Sequence, residues 1–191
     1  MKKLSMLLVC ISVTTFSFAF THHHRNGKSH TKAKSRSLDF PVAGKRSSLG
    51  DGWGASREGG IRKHKGIDIH AHKGTPVVAI SDGRIVGRNI TPIGGKTLWL
   101  KPANQNWTAY YAHLDKQLVN DGQVVHKGQV IGTVGNTGNA RTTPSHLHFG
   151  VKTKGHWVNP LPYVKNAGKV TAPVRLQKKQ VSHSNKLHSK R

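Results

Sequence analysis

Acidic residues are scarce in this chain of 191 residues: seven Asp and Glu stand against 31 Lys and Arg, for a formal net charge of +24. All seven acids lie between positions 39 and 121, so both ends of the chain are purely basic. This scarcity argues against hydrolysis by a pair of carboxylates and leaves few acids to orient a serine triad. The sequence also contains no Gly-x-Ser-x-Gly segment. The charge suits a polyanionic partner, such as nucleic acid, an anionic membrane surface or a bacterial envelope.

Cysteine is almost absent, since Cys10 is the single one. It lies in a stretch typical of a secretory signal, in which Lys2 and Lys3 precede an apolar run and Ser17-Phe18-Ala19 offers small residues for cleavage after Ala19. We predict that residues 1–19 are a signal peptide rather than a membrane anchor, because the run is short and diluted by hydroxyl groups. The exported chain would then have no disulfide and no thiol nucleophile, in the periplasm, the cell envelope or the medium.

Long amphipathic helices are missing too, because no window shows a convincing 3.6-residue apolar period. Short β-branched and apolar runs instead alternate with glycine-containing turns between residues 38 and 164. This pattern predicts an all-β domain, a sandwich- or barrel-like arrangement of antiparallel sheets with short turns and little helix, and one helical turn at Leu114–Val119. Residues 20–37 and 165–191 are basic and polar, and we expect a disordered arm and a basic tail there.

The segment His64-Lys65-Gly66-Ile67-Asp68-Ile69 contains the first residues suited to chemistry. Its glycine and isoleucines indicate a turn that enters a strand. Alternate residues of a strand share a face, so Asp68 and His70 would point away from the core that receives the isoleucines. His64 lies at the start of the strand, on the same side as Asp68. A histidine nitrogen and a carboxylate oxygen that converge in this way are good zinc ligands, and His70 is the main alternative ligand.

Two further histidines show strand spacing in the segment from Ser145 to Val151. Leu147 and Phe149 alternate with His146 and His148, so the two histidines would share the face opposite the core, about 6–7 Å apart. At that distance both could bind one metal ion, or one could bind while the other acts on a substrate. Spacing alone leaves these two roles open.

A third segment, Tyr110-Tyr111-Ala112-His113-Leu114, contains another candidate. Ala112 and Leu114 alternate with Tyr111 and His113, which places His113 on the open face, where an imidazole suits acid–base catalysis. A single histidine among fourteen is more often structural, but three separate segments each present His or Asp on an open face. The remaining candidates are expected on the surface: His70, His72, His126 and His156.

These segments resemble, in order and spacing, the motifs of the lysostaphin-type (LytM-like) zinc endopeptidases. The matching residues are His64-x-x-x-Asp68, Tyr111-Ala112-His113-Leu114 and His146-Leu147-His148. Gly74-Thr75-Pro76-Val77 and Val158-Asn159-Pro160 are similar to further landmarks of the family, and the resemblance extends from about Phe40 to Pro160. It implies that residues 38–164 form a zinc endopeptidase domain with the duplicated hybrid motif fold.

The resemblance also implies the roles of the site residues. By analogy with the family, one zinc ion per chain would be bound by His64, Asp68 and His148, while His113 and His146 flank the water and the substrate carbonyl. The family hydrolyses peptide cross-links or stem peptides of bacterial peptidoglycan with a metal-activated water. Three protein ligands leave one position open, which is typical of catalytic rather than structural zinc.

Three departures from the family pattern affect loops. One residue is inserted in Thr143-Pro144-Ser145-His146, Gly150 stands where the family usually has an acid, and the glycine-rich loop from Gly50 to Ile61 differs from the usual run. We expect these loops to shape the substrate groove. The departures therefore bear on specificity rather than on the ligand set.

Two other functions compete with the enzyme. A catalytically silent member of the same fold would bind peptidoglycan or activate another hydrolase, and a basic binding protein would use the domain only as a scaffold for a polyanion. The complete ligand set favours the enzyme. We expect the basic tails to tether it to anionic envelope polymers, and we expect no specific nucleic acid as a partner.

Overall fold

The computed structural model describes residues 37–171, in which it contains thirteen β-strands and one α-helix. The strands are β1 (Ser48–Leu49), β2 (Ser56–Arg57), β3 (Arg62–Lys63), β4 (Ile67–His70), β5 (Pro76–Val78), β6 (Gly83–Thr91), β7 (Gly95–Pro102), β8 (Trp107–Leu114), β9 (Lys116–Gln117), β10 (Val124–Val125), β11 (Val130–Thr133), β12 (His146–Thr153) and β13 (His156–Val158). The helix α1 spans Leu161–Val164. The predicted signal peptide, nearly all of the basic arm and the tail beyond residue 171 lie outside the described residues.

Antiparallel pairing dominates the fold, as the sequence predicts. The main sheet has the strand order β1-β4-β12-β8-β7-β6-β10, and β13 pairs with the end of β12. A second sheet has the order β5-β11-β9, and β2 pairs with β3 as a separate hairpin. The prediction of an all-β antiparallel domain with little helix is confirmed. In the part of the chain described here, no helix has the length and apolar character needed to cross a membrane.

One hydrophobic core takes side chains from both sheets. In β12, Leu147 and Phe149 are fully buried, and they alternate with His146 and His148 on the opposite face. Val77 of β5 and Ile131 of β11 belong to the same core cluster. Each such side chain contributes about 1.5–3 kcal/mol when it leaves water, so the alternation determines which face of β12 is buried. The other face is left for the histidines.

The helical turn predicted at Leu114–Val119 is wrong. Strand β8 continues to Leu114, and the chain then pairs with β11 instead of coiling. The backbone amide of Asp115 donates to the carbonyl of Thr133, and that of Leu118 donates to the carbonyl of Ile131. These cross-strand bonds take the groups that a helix would need, so tertiary pairing overrides a weak local preference.

The chain beyond residue 164 continues to contact the domain as far as it is described. The amide of Phe40 donates to the carbonyl of Gly168 over 2.9 Å, and the amide of Gly44 donates to that of Val170 over 2.8 Å. Ala167 packs against the hydrophobic core. Residues 165–171 thereby hold the entry segment of the domain against its body.

Candidate metal centre

Two neighbouring strands of the main sheet bring the first candidate ligands together. The antiparallel register places His148 of β12 opposite Asp68 of β4, and His146 opposite His70. Directly opposed side chains on one face of a sheet lie close together. His148 Nδ1 is accordingly 3.0 Å from Asp68 Oδ1.

His64 completes the cluster from the turn before β4. Its Nε2 atom lies 2.9 Å from His148 Nδ1 and 3.2 Å from Asp68 Oδ1. Its Nδ1 atom lies 2.8 Å from the backbone carbonyl of Gly52, which can only accept a hydrogen bond. The proton of His64 therefore resides on Nδ1, and the lone pair of Nε2 points into the cluster.

The carboxylate of Asp68 is buried and held from both sides. Arg57 donates from one guanidinium nitrogen to Asp68 Oδ2 over 2.6 Å and pairs through the other with Asp51 over 3.0 Å. Burial alone would raise the pKa of Asp68, but the hydrogen bond with His148 and the electrostatic effect of the neighbouring imidazoles outweigh it and hold the pKa well below its usual range. Asp68 is thus an ionised oxygen donor at neutral pH.

The donor set suits a zinc ion. His148 Nδ1 carries at most one hydrogen, yet two acceptors, His64 Nε2 and Asp68 Oδ1, lie within reach of it. The three ligand atoms lie within 4.8 Å of one another. Two imidazole nitrogens and one carboxylate oxygen are ligands that Zn²⁺ takes readily, and a cation between them would satisfy all three lone pairs at once.

A β-bulge brings His113 to the same face. Leu114 of β8 faces Lys96 of β7, but Tyr111 faces Leu98, so β8 contains one extra residue, and His113 has a φ of 60°. A bulge shifts the alternation of faces by one residue. The expectation that Tyr111 shares the open face with His113 is wrong, because Tyr111 is fully buried in the core.

The imidazole of His113 is oriented by a neighbouring loop. Its Nδ1 atom donates to the backbone carbonyl of Thr137 over 2.8 Å, which leaves the Nε2 lone pair free to accept a proton. Burial lowers the pKa of His113 to about 4, and the nearby His146 and His148 add to the effect. His113 is therefore neutral at pH 7.

His146 has the same kind of support. Its Nδ1 atom donates to the carbonyl of Pro144 over 2.8 Å, so its Nε2 lone pair is also free. The ring centroid of His146 lies 5.0 Å from that of His113, and its Nε2 atom lies 4.0 Å from Asp68 Oδ1. All five residues predicted from the sequence thus meet around one point.

An open groove of about 760 Å³ contains this cluster. His70 is half-buried at one end of the groove beside His146, with ring centroids 5.6 Å apart, and is not on the open surface as expected. His72, His126 and His156 are exposed, as predicted. The groove places five histidine and aspartate side chains where a substrate backbone could reach them.

Sequence reasoning missed several residues that contact the centre. Arg57 of β2 supports Asp68, and Gly52 of the loop before β2 supports His64. Tyr110 and Trp157 also line the groove. The spacing of Arg57 offers no signal, because its contact with Asp68 joins the β2–β3 hairpin to β4 and depends on the tertiary structure. The tight turn between β12 and β13 could have indicated from the sequence that Trp157 lies next to β12.

Comparison with known proteins agrees with this architecture. The model of peptidase family M23 matches residues 62–160, and the chain belongs to that family. The catalytic domain of the antimicrobial peptidase lysostaphin from Staphylococcus simulans is similar at 34% identity and a TM-score of 0.57, over 62% of this chain and 92% of that one. The resemblance to the lysostaphin-type peptidases is confirmed.

Two curated relatives differ in their described roles. The murein hydrolase activator NlpD of Salmonella typhimurium is 40% identical over 134 residues, which cover 70% of this chain and 33% of the relative. The peptidoglycan DD-endopeptidase ShyC of Vibrio cholerae is 36% identical over 102 residues, which cover 53% of this chain and 23% of the relative. The matched region thus spans a third or less of these relatives' length.

Proposed function

We propose that this protein is a zinc-dependent endopeptidase that hydrolyses peptide cross-links or stem peptides of bacterial peptidoglycan. The observation that carries the proposal is the convergence of His64, Asp68 and His148 beside two further histidines in one open groove. Membership of family M23 and the similarity to a peptidoglycan endopeptidase support it.

His64, Asp68 and His148 would hold one zinc ion in this proposal. Bound there, zinc would supply a Lewis acid that polarises the scissile carbonyl and makes water a nucleophile near neutral pH. The protein keeps the ligand lone pairs directed inward through Gly52 and Arg57. Such outer contacts stabilise the ligand geometry before any metal arrives.

His113 and His146 would move the protons. Each donates its Nδ1 hydrogen to a backbone carbonyl, so each offers an Nε2 lone pair that can take a proton from the attacking water. Once protonated, either imidazole can stabilise the developing oxyanion and return a proton to the leaving amine. The depressed pKa of His113 makes its protonated form a better proton donor than an ordinary imidazolium, which suits the second of these tasks.

The proposed substrate implies where in the cell the enzyme acts. We propose that residues 1–19 direct export and that the protein acts in the periplasm, in the cell envelope or outside the cell. The basic ends, residues 20–37 and 165–191, would tether it to anionic envelope polymers. No specific nucleic acid partner is part of this proposal.

A second candidate function is activation of another murein hydrolase without catalysis. The similarity to NlpD, which is described as such an activator, favours this function. An activator needs a groove or surface that binds its partner, but it needs no metal. The complete ligand set therefore separates the two candidates, and zinc content is the property to measure.

Zinc content and hydrolysis should be measured on the purified full chain. The enzyme should contain about one zinc per chain and release muropeptides from sacculi, which mass spectrometry identifies by the bond cut. His148→Ala should abolish both properties, whereas His72→Ala, an exposed histidine outside the groove, should change neither. A chain without zinc that stimulates a second hydrolase equally well with His148→Ala would establish the activator instead.

A further inference from the structure

Three aromatic side chains form a continuous surface next to the metal centre. Trp99, Tyr110 and Trp157, here called the aromatic platform, have ring centroids 4.4 to 5.6 Å apart. The ring of Tyr110 lies 6.1 Å from that of His148. All three aromatic residues are half-buried, so each ring keeps part of its surface open to solvent.

The sheet register explains why these rings meet. Gly87 of β6, Trp99 of β7, Tyr110 of β8 and Gly150 of β12 are paired in one row across the sheet. This row lies two residues along from the row that contains His148, so the two rows share a face, about 7 Å apart. The platform therefore continues the floor of the groove.

Glycines at both ends of the row make room for the indoles. A Cβ atom at Gly150 would come within 2.6 Å of Trp157, and one at Gly87 would come within 2.9 Å of Trp99. Both distances are shorter than carbon atoms tolerate, so a side chain at either position would displace a ring. Gly150 is thus part of the platform.

Among the described residues, Lys152 is the cation that lies over the platform. The ammonium nitrogen of Lys152 is 4.8 Å from the ring centroid of Trp157 and 5.3 Å from that of Trp99. Among the described side chains, no carboxylate forms an ion pair with Lys152. Its hydrogens are available to an acceptor on a ligand that rests against the rings.

We infer that the aromatic platform binds an N-acetylated amino sugar of the glycan strand, with Lys152 donating to the acetamido carbonyl. The inference deepens the proposed function and rests on it for the substrate class. A pyranose has apolar C–H faces that pack on indole rings and polar groups at its rim that reach a neighbouring ammonium.

The position of the platform favours a sugar over a peptide. Trp99 and Tyr110 lie on β7 and β8, which each pair with a neighbour on both sides, and Trp157 lies on β13, which pairs with β12. The rings cover the face of the sheet and not its edge, so a peptide that rests on them could not pair with a strand, and its amide groups would lie unpaired against aromatic rings. A sugar needs only side-chain contacts.

The spacing also fits a polymer that carries its scissile bond on a short branch. The platform row lies about 7 Å from His148, and Lys152 lies one further row away, at about 14 Å. An extended peptide covers that span with about two to four residues. A sugar held on the platform would place a peptide attached to it across the metal centre.

The test is a titration of the zinc-loaded full chain with a soluble tetramer of N-acetylglucosamine, which has no peptide. The indole N–H signals of the four tryptophans are followed by NMR. We expect shifts at Trp99 and Trp157, and an unchanged signal at Trp107, which packs on Tyr163 outside the platform. Absence of shifts at Trp99 and Trp157 at millimolar sugar would overturn the inference, as would shifts produced only by a stem peptide without sugar.

Substitutions sharpen the titration. Trp157→Ala should weaken sugar binding about tenfold, the equivalent of about 1.4 kcal/mol, and Lys152→Gln should weaken it several-fold. Trp107→Phe, which changes a tryptophan that packs on Tyr163 outside the platform, should leave it unchanged. An unchanged sugar affinity in Trp157→Ala, with zinc retained, would refute the inference. If that variant does not fold, the indole shifts of the wild-type chain still test whether the platform binds the sugar.

The result is separable from the proposed catalysis. Sugar binding is read from the indole signals and needs no hydrolysis, whereas muropeptide release reports cleavage. A chain that cleaves sacculi but gives no indole shifts refutes the platform alone. A chain that binds the sugar but never cleaves refutes the endopeptidase and retains the platform.

Discussion

At the scale of single residues, Asp68 is the side chain on which the contacts of the centre converge. One oxygen faces His64 and His148, and the other receives the guanidinium of Arg57. The carboxylate is nearly inaccessible, with 9% of its side chain exposed. A buried anion held in this way keeps its charge and its orientation whether or not a cation is bound.

Removing the arginine should weaken the metal site without emptying it. We predict that Arg57→Gln lowers zinc affinity about 10- to 100-fold, because the free oxygen of Asp68 can then rotate out of position. Competition with a fluorescent chelator measures the change. Arg88→Gln, an exposed arginine on β6, is the matched control. Equal zinc affinity in the Arg57 and Arg88 variants would show that Asp68 needs no such support.

At the scale of elements, the bulge in β8 and the loop after β11 form one unit. Thr137 links them: its hydroxyl donates to the carbonyl of Leu114 and accepts from the amide of Lys96, both over 2.9 Å. Its own carbonyl holds the ring of His113. The loop therefore stabilises both the irregular backbone at His113 and the direction of its imidazole.

The hydroxyl of Thr137 should matter for stability. Thr137→Val leaves a donor and an acceptor of the backbone unpaired, and we predict a loss of about 1–2 kcal/mol in the free energy of unfolding. Thr153→Val is the matched control, because the buried hydroxyl of Thr153 has no hydrogen-bond partner among the described residues. Its free energy of unfolding should change by less than about 0.5 kcal/mol. Denaturant unfolding measures the free energy of both variants. An equal loss of stability in the two would contradict the role given to the hydroxyl of Thr137.

At the scale of the whole molecule, one face of the main sheet builds the core and the other builds the site. The face with Leu147 and Phe149 is sealed, and the opposite face of the same strand presents His146 and His148 to a groove. Charge varies along the chain. All seven acids lie between positions 39 and 121, and the basic ends precede and follow the domain in the sequence.

Shortening the basic tail should affect wall binding and spare the chemistry. A chain that ends at residue 171 loses six Lys and Arg residues and no acid. We predict weaker and less salt-dependent binding to sacculi, because fewer cations meet the anionic polymer. Hydrolysis of a short soluble peptide substrate should stay the same. Co-sedimentation at several salt concentrations measures the binding, and an unchanged salt dependence would mean that the tail is not the tether.

The local alternation of apolar and polar residues was enough to predict the strands and to predict which face of each is apolar. The two-residue alternation in His146–Phe149 and in Ile67–His70 depends only on neighbouring residues, so the sequence by itself determined the all-β class. It also determined that Asp68, His146 and His148 face away from the core. The assignment of metal ligands among them came from the resemblance to a family, and it remains a proposal.

Only the tertiary structure decided how these faces combine. The register of β4 against β12 sets Asp68 beside His148, and the pairing of β7 with β8 creates the bulge that buries Tyr111 and turns His113 outward. Arg57, on the separate β2–β3 hairpin, reaches Asp68 of β4 only in the folded chain. These contacts join residues far apart in the chain, and their geometry depends on pairing and packing energies that no local window contains.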